Sequence, residues 1–173
     1  MKTTLCVVAV MMLTVWVIKR HYSGAGADDL WWILSPTARL VGFLTNTAFV
    51  PVAGEGYFSP DQLFLIEKSC AGVNFMIAAF GMIVFALFHR IGSGISGASV
   101  LAVSLVASYG AAVLVNAVRI TIAMWLAGHP IGPSTVAGAD VHRIEGIVVY
   151  FAGLVLLCEL VRRLDLRAAE YGR

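Results

Sequence analysis

Four apolar runs alternate with polar segments along the chain. They cover residues 5–18, 71–88, 100–126 and 144–161. A helix of about 20 residues rises about 30 Å, which is the thickness of the hydrocarbon core of a bilayer. The pattern therefore predicts four transmembrane helices, with residues 19–70 as an extracytoplasmic segment between the first two.

The first run has an alternative interpretation as a signal peptide, because Ala25-Gly26-Ala27 resembles a small-residue cleavage site. The charged residues Lys19 and Arg20 lie between the apolar run and that site, where a signal peptide would be neutral. This arrangement favours an uncleaved membrane anchor.

Residues 28–49 carry an apolar stripe that polar residues interrupt. Ser35-Pro36 resembles a helix N-cap followed by a proline in the first turn. Trp31 and Trp32 lie just upstream, and tryptophan is enriched at membrane interfaces. We therefore expect helices that lie in the interface rather than span it.

Two short β-prone runs follow, on either side of Ser59-Pro60-Asp61-Gln62. That tetrapeptide suits a type I turn. We predict a small extracytoplasmic β-hairpin that delivers the chain to Cys70.

The positive charges set the predicted orientation. Arg162-Arg163 ends the fourth apolar run and Arg90 ends the second, and cytoplasmic loops carry an excess of such charges. The other side carries Lys19, Arg20, Arg39 and Lys68, so the count of positive charges nearly ties, and the compact Arg162-Arg163 stop decides the orientation. Both termini are then cytoplasmic, and Cys70 and residues 127–141 lie on the opposite side. The predicted fold is an all-α polytopic membrane protein with a single membrane-embedded domain over residues 1–173.

Composition supports this class and excludes others. Hydrophobic residues make up 60% of the chain and charged residues 13%, which is too little charge for a soluble surface. A formal charge of +2 gives no reason to expect a nucleic-acid partner. The three cysteines form no CxxC pair, so we expect no metal and no redox site. Cys6 and Cys158 are interpreted as small apolar residues packed in helices.

Arg119 is the first candidate for chemistry, because it interrupts the third apolar run. A charge near the bilayer centre costs at least about 2.5 kcal/mol, so such residues usually face a cavity or a partner. Asn116, three residues earlier, shares its helical face and is a supporting candidate. The alternative is an arginine that snorkels to the interface from near the helix end.

Cys70 is the second candidate, because it lies where the polar chain becomes apolar helix. A helix N-terminus favours the thiolate, and the thiolate is the nucleophilic form of cysteine. Glu67 and Asn74 flank it and are supporting or substrate-binding candidates. A lone cysteine is, however, more often structural.

His142 is the third candidate, at the start of the fourth run. Asp140 is a plausible N-cap there, and the helix dipole would keep the imidazole neutral, as a base must be. Alone it also fits an ordinary interfacial histidine. Under the predicted topology, however, Cys70, Arg119 and His142 come from three successive spans and approach the same face.

Two non-enzymatic functions compete with catalysis. A transporter or channel component would use Arg119 in an anion path, but it would need further polar residues along the spans. An assembly factor would hold another membrane protein without chemistry. Both should survive loss of the Cys70 sulfur, whereas cleavage should not.

Three motifs resemble those of the exosortase/archaeosortase family. They are Cys-Ala-Gly-Val-Asn-Phe at 70–75, Asn-Ala-Val-Arg-Ile at 116–120, and His142 with its apolar helix. The similarity covers roughly residues 30–161. The short chain resembles the family's small bacterial members, the exosortase K type.

The resemblance implies a cysteine transpeptidase or protease in the bacterial plasma membrane, with its site on the extracytoplasmic face. Its substrates would be membrane-anchored proteins whose C-terminal tail combines a short motif, a transmembrane helix and a basic end. Cys70 would be the nucleophile, Arg119 the oxyanion stabiliser, and His142 the general base and acid. Membrane lipid is the surrounding partner, and no cofactor is implied.

Overall fold

The computed structural model describes residues 2–92, 94–128 and 136–171, with their side chains except at residues 136–142, 169 and 171. Three short 3-10 turns, Asp28–Leu30, Lys68–Cys70 and Phe88–Arg90, link longer elements in this part of the chain. In chain order the longer elements are helices α1 (Lys2–Gly24) and α2 (Trp31–Thr45), strands β1 (Val50–Val52), β2 (Gly56–Ser59) and β3 (Phe64–Ile66), and helices α3 (Val73–Ala86), α4 (Gly94–Gly128) and α5 (Val136–Tyr171).

Four helical segments of the described chain are long and apolar enough to cross a membrane. They are Lys2–Gly24, Lys68–Ala86, Gly94–Ala127 and Arg143–Ala168. Each overlaps one of the apolar runs, so the prediction of an all-α polytopic membrane protein is confirmed. α2 has 15 residues, which is too short to cross a bilayer of about 30 Å as a helix.

The chain divides into two compact units. The first contains α1, residues 73–112 with α3, and the part of α5 from Gly153 onwards. α1 packs on α3, and Lys19 Nζ donates a hydrogen bond of 2.9 Å to Asn74 Oδ1. Gly97 of α4 lies against α1, since a Cβ at this position would come within 2.6 Å of Val7 Cγ2.

A cluster of charges ties α5 to the turn after α3 within this first unit. Arg90 donates from Nε to the Asp165 carboxylate and from Nη2 to the Asp165 backbone oxygen, the latter at 3.0 Å. His89 Nε2 lies 3.1 Å from the other carboxylate oxygen. The Asp165 side chain is 19% exposed, whereas those of His89 and Arg90 are 59% and 39% exposed, so this cluster lies at the protein surface.

The second unit contains residues 25–72, with α2 and the sheet, and residues 113–152 of α4 and α5. α2 packs on β2. Asp28 accepts a hydrogen bond from the Gly54 N–H, and Lys68 Nζ donates to the Ala25 oxygen at 2.7 Å. The apolar core of this unit includes Leu30, Ile33, Leu34, Val41 and Ile66, all with no measurable exposure.

The predicted hairpin is present, as β2 and β3, and it belongs to a three-stranded antiparallel sheet of order β1-β2-β3. The additional strand β1 carries Pro51, which has no N–H to donate and so suits an edge strand. Gly56 brings β2 close to β3: its φ is +125°, and a Cβ there would meet the Ile66 oxygen at 2.3 Å. Only glycine fits this position without strain.

The predicted start of the interfacial helix is wrong. α2 begins at Trp31, and Pro36 lies inside it instead of in its first turn. The 3-10 turn Asp28–Leu30 continues directly into α2, so the chain is already helical when it reaches Ser35. The helix ends at Thr45, and the next residue, Asn46, has a left-handed φ of 52°, the conformation that commonly terminates helices.

A cavity of about 440 Å³ lies against α2 in the second unit. Arg39 is the cationic side chain in its lining, and none of Cys70, Asn116, Arg119 or Glu67 contributes to it. The lining residues are Ser35, Ala38, Arg39, Gly42, Thr47, Phe49, Pro51 and Tyr57.

Candidate active site

Cys70 is the last residue of the 3-10 turn Lys68–Cys70, three residues before α3 begins at Val73. Its backbone N–H donates to the Glu67 oxygen at 2.9 Å, and its side chain is buried. Gly72 makes the turn into α3 with a φ of +69°. Cys70 therefore lies at the junction of the polar segment and the helix, as the sequence predicted.

Two neighbouring polar residues form a short chain beside the thiol. Ser69 Oγ donates to Glu67 Oε1 at 2.6 Å and lies 3.8 Å from Cys70 Sγ. Glu67 is exposed, so this carboxylate connects the buried thiol to the surface through one hydroxyl group.

Asn116 of α4 contacts the backbone of Cys70 directly. Its Nδ2 donates a hydrogen bond to the Cys70 carbonyl oxygen, and the side chain is fully buried. A Cβ at position 72 would come within 3.0 Å of Asn116 Cγ. A glycine at 72 is therefore required twice, for its positive φ and for the close approach of Asn116.

Arg119 lies one helical turn after Asn116 and contacts α5. Its Nη1 donates to Tyr150 Oη at 3.1 Å, and the guanidinium lies over the tyrosine ring, 5.3 Å from the ring centroid. Gly146 makes room for it, because a Cβ there would be 3.0 Å from Arg119 Nε. These contacts support the interpretation that Arg119 faces a partner within the protein.

Tyr150 joins the two residues of α4. Its Oη donates to Asn116 Oδ1 at 2.8 Å while it accepts from Arg119. The result is a continuous chain of hydrogen bonds from Arg119 through Tyr150 and Asn116 to the Cys70 carbonyl. Three of the sequence candidates are thus connected within the second unit by a residue that the sequence analysis had not selected.

Glu145 was also missed as a candidate. It lies in the spanning part of α5 and interacts electrostatically with Arg119 and with Tyr150. The signal was available, because an ionisable residue within a membrane span is by default a candidate for function.

The remaining candidates have different positions. His142 lies in α5, but its side chain is outside the part of the chain that the structure describes. The proposed N-cap Asp140 is wrong, because α5 begins at Val136 and Asp140 is already helical. Asp140 and His142 both lie beyond the first turn of α5, where the influence of the helix dipole has fallen off, so the expectation drawn from that dipole does not apply to them. Asn74 is exposed and accepts the hydrogen bond from Lys19 described above.

The other two cysteines, Cys6 and Cys158, are exposed on α1 and α5. They are therefore not packed inside the protein, which corrects the expectation from their apolar surroundings. Among the residues that the structure describes, no group of three or more histidine, cysteine, aspartate or glutamate side chains is placed to hold a metal ion.

Comparison with known families decides the class of protein. The family model described as transmembrane exosortase (Exosortase_EpsH) matches residues 3–158. The chain belongs to the transmembrane exosortase family. No curated protein and no solved structure shows significant similarity to it.

Family membership gives this exosortase a general role. It is a multi-pass membrane protein with a protease- or transpeptidase-like activity on protein substrates in the membrane. The matched region contains Cys70, Asn116, Arg119 and Tyr150, all the residues of the hydrogen-bonded chain.

Proposed function

We propose that this exosortase is a cysteine transpeptidase or protease that removes C-terminal sorting tails from exported proteins. Cys70 is the nucleophile, Arg119 stabilises the oxyanion, and His142 is the general base and acid. The observation that carries the proposal is the link from Arg119 to the Cys70 backbone through Tyr150 and Asn116. An arginine that only snorkels to the interface needs no such link.

In the acylation step, His142 takes the proton of the Cys70 thiol, and the thiolate sulfur attacks the scissile carbonyl carbon. The carbonyl π electrons move to oxygen, which becomes an oxyanion that the Arg119 guanidinium stabilises by charge and hydrogen bonding. The C–N bond then breaks, and His142 returns the proton to the leaving amine. A thioester at Cys70 remains, and the tail is released.

In the deacylation step, a second nucleophile attacks the thioester carbon and gives its proton to His142. The C–S bond breaks, and Cys70 leaves as a thiolate. Water gives hydrolysis, and an amine or hydroxyl group of an acceptor gives transfer. The same base and the same oxyanion stabiliser serve both steps.

Helical spacing supports the role of His142. Residues 142, 146 and 150 are four positions apart in α5, and positions four apart share one face of a helix. Gly146 and Tyr150 both contact Arg119 from that face. The spacing therefore predicts that His142 lies on the face of α5 that contacts Arg119.

The proposed substrates are membrane-anchored proteins whose tail has a short motif, a transmembrane helix and a basic end. The apolar residues exposed on α1, α4 and α5 would lie against lipid, and a substrate helix would reach the site through the bilayer. We place the protein in the bacterial plasma membrane with Cys70 on the extracytoplasmic side.

The test is capture of the acyl-enzyme. The chain is purified from its host membranes under mildly acidic conditions, and the peptide containing Cys70 is analysed by mass spectrometry with and without hydroxylamine, which cleaves thioesters. We expect a hydroxylamine-sensitive peptide adduct on Cys70 that ends where the tail began. Cys70→Ala should lose both the adduct and tail removal.

Cys158→Ala and Cys6→Ala are the matched controls, since both cysteines are exposed on spanning helices outside the hydrogen-bonded chain. Each should retain adduct formation and tail removal. Normal tail removal by Cys70→Ala would refute the cysteine mechanism and return the transporter and assembly functions to consideration.

A further inference from the structure

We infer that Tyr150 is a positioning residue of this site: its phenolic O–H sets the orientation of both Arg119 and Asn116 relative to Cys70. This inference rests on the proposed function and adds to it a residue that no motif of the chain indicated. It is carried by the two hydrogen bonds of Tyr150 Oη and by the stacking of Arg119 on its ring.

The direction of every hydrogen bond in the chain is determined by the chemistry of its members. The Cys70 carbonyl only accepts, so Asn116 must present Nδ2 to it and Oδ1 to Tyr150. Oδ1 only accepts, so the single phenolic proton goes to Asn116. The phenolic oxygen then accepts from Arg119, which only donates. The Cys70 carbonyl thus fixes which way the amide turns, and the hydroxyl group of Tyr150 anchors the amide oxygen with its proton and one guanidinium nitrogen with its oxygen.

The hydrogen bonds of this hydroxyl group lie in a partly buried region, where they are stronger than those of a hydroxyl group at the surface. Asn116 is fully buried, and Tyr150 and Arg119 are partly buried. In a region of low dielectric, hydrogen bonds are strong and each polarises the next, while an unpaired polar group is costly. Removing the phenolic O–H would leave Asn116 Oδ1 without its donor and remove one acceptor from Arg119.

The consequence for acylation is geometric. An oxyanion stabiliser acts only when its donors already point to the place where charge develops. The same series of hydrogen bonds ends at the Cys70 carbonyl, just before the turn at Gly72. It therefore also fixes the backbone of the residue that carries the nucleophile. Loss of the O–H should therefore slow the chemical step and leave substrate binding nearly unchanged.

The first experiment compares Tyr150→Phe with the unmodified protein in lipid nanodiscs. The substrate is a synthetic peptide that joins the sequence identified in the Cys70 adduct to an apolar helix with a basic end. Phenylalanine keeps the ring under Arg119 and removes only the hydroxyl group. We expect the acylation rate per reactive Cys70 to fall about 10- to 100-fold with KM within about twofold. Tyr109→Phe is the control and should keep the normal rate, because Tyr109 lies in α4 and is not part of the hydrogen-bonded series from Arg119 to Cys70.

A double-mutant cycle separates positioning from general support of the fold. If Tyr150 acts through Asn116, then Tyr150→Phe should cost much less in an Asn116→Ala background than it does alone. Full additivity would contradict the inference. So would a normal acylation rate in Tyr150→Phe, including one accompanied by a lower melting temperature, because that result describes a merely structural residue.

A second replacement keeps the test decisive if Tyr150→Phe does not accumulate. 3,5-Difluorotyrosine, placed at position 150 by codon suppression, keeps the size and ring of tyrosine but gives up its phenolic proton at lower pH. The titratable groups that face this position are Arg119, Cys70 and Glu145. We expect the alkaline limb of the pH–rate profile to move to lower pH, since the ionised group cannot donate to Asn116. An unmoved limb would overturn the inference.

The outcomes distinguish this inference from the proposed function. An active Cys70→Ala variant refutes the cysteine mechanism whatever Tyr150 does. An inactive Cys70→Ala variant together with a normal rate in Tyr150→Phe leaves the mechanism in place and removes Tyr150 from it.

Discussion

The side-chain amide of Asn116 donates a hydrogen bond to the backbone carbonyl of Cys70, 46 residues earlier in the chain. This bond connects a spanning helix to the short turn that carries the candidate nucleophile. Because a carbonyl accepts and never donates, the interaction requires an amide at position 116 and not merely a polar group of similar size.

We therefore expect Asn116→Asp to damage the site although aspartate has nearly the same shape as asparagine. Its carboxylate would place an acceptor against the Cys70 carbonyl and would bury a charge at a fully buried position. The loss of one buried hydrogen bond costs about 1–3 kcal/mol, more where a charge is involved. Tail removal should fall at least tenfold, measured beside the melting temperature in detergent. Asn46→Asp, at an exposed helix end, is the matched control and should behave normally.

Gly72 should not tolerate alanine. Its φ of +69° costs a residue with a Cβ about 1–2 kcal/mol, and the new methyl group would lie 3.0 Å from Asn116 Cγ. Gly72→Ala should shift Asn116 and reduce tail removal strongly. Gly81→Ala is the control, because no atom lies within 4 Å of a Cβ built there and alanine favours a helix. Equal activities of the two variants would contradict the proposed role of this contact.

Arg119→Lys should lose about 100-fold in tail removal while the protein still inserts and accumulates. Lysine keeps the positive charge, but it lacks the planar fork that stacks on Tyr150 and donates to its oxygen. Arg162→Lys, at a side chain that is 71% exposed, should be unaffected. Near-normal processing by Arg119→Lys would reduce the role of the residue to its charge alone.

The predicted orientation can be checked with single cysteines and a membrane-impermeant maleimide added to intact cells. Cys6, Cys70 and Cys158 are first replaced by alanine. The Asp61→Cys variant, in the exposed turn after β2, should be labelled from outside. The Gly94→Cys variant, at the start of α4, has room for the new side chain and should be protected. Labelling of Gly94→Cys with protection of Asp61→Cys would reverse the orientation.

The sequence by itself determined the class of the protein and the position of its spans. Apolar run length and charge composition are local properties, and each run overlaps a helix long enough to cross a membrane. The hairpin was also predictable, because turn residues between two β-prone runs act over a few positions. Arg119 could be selected for the same reason: a charge in an apolar run is conspicuous without any knowledge of its partner.

Only the tertiary structure decided what those residues contact. Tyr150 is 34 residues from Asn116 and 31 from Arg119 in the chain. No local sequence pattern can therefore predict that its hydroxyl group contacts both of them. The sequence did not predict strand β1 or the helical position of Asp140, for a related reason. Pro51 argues against a strand until a partner makes it an edge, and a cap signal is overridden when the preceding residues are already helical. Composition and spacing can identify which residues a membrane must accommodate, but the packing of helices from distant parts of the chain decides which of them meet.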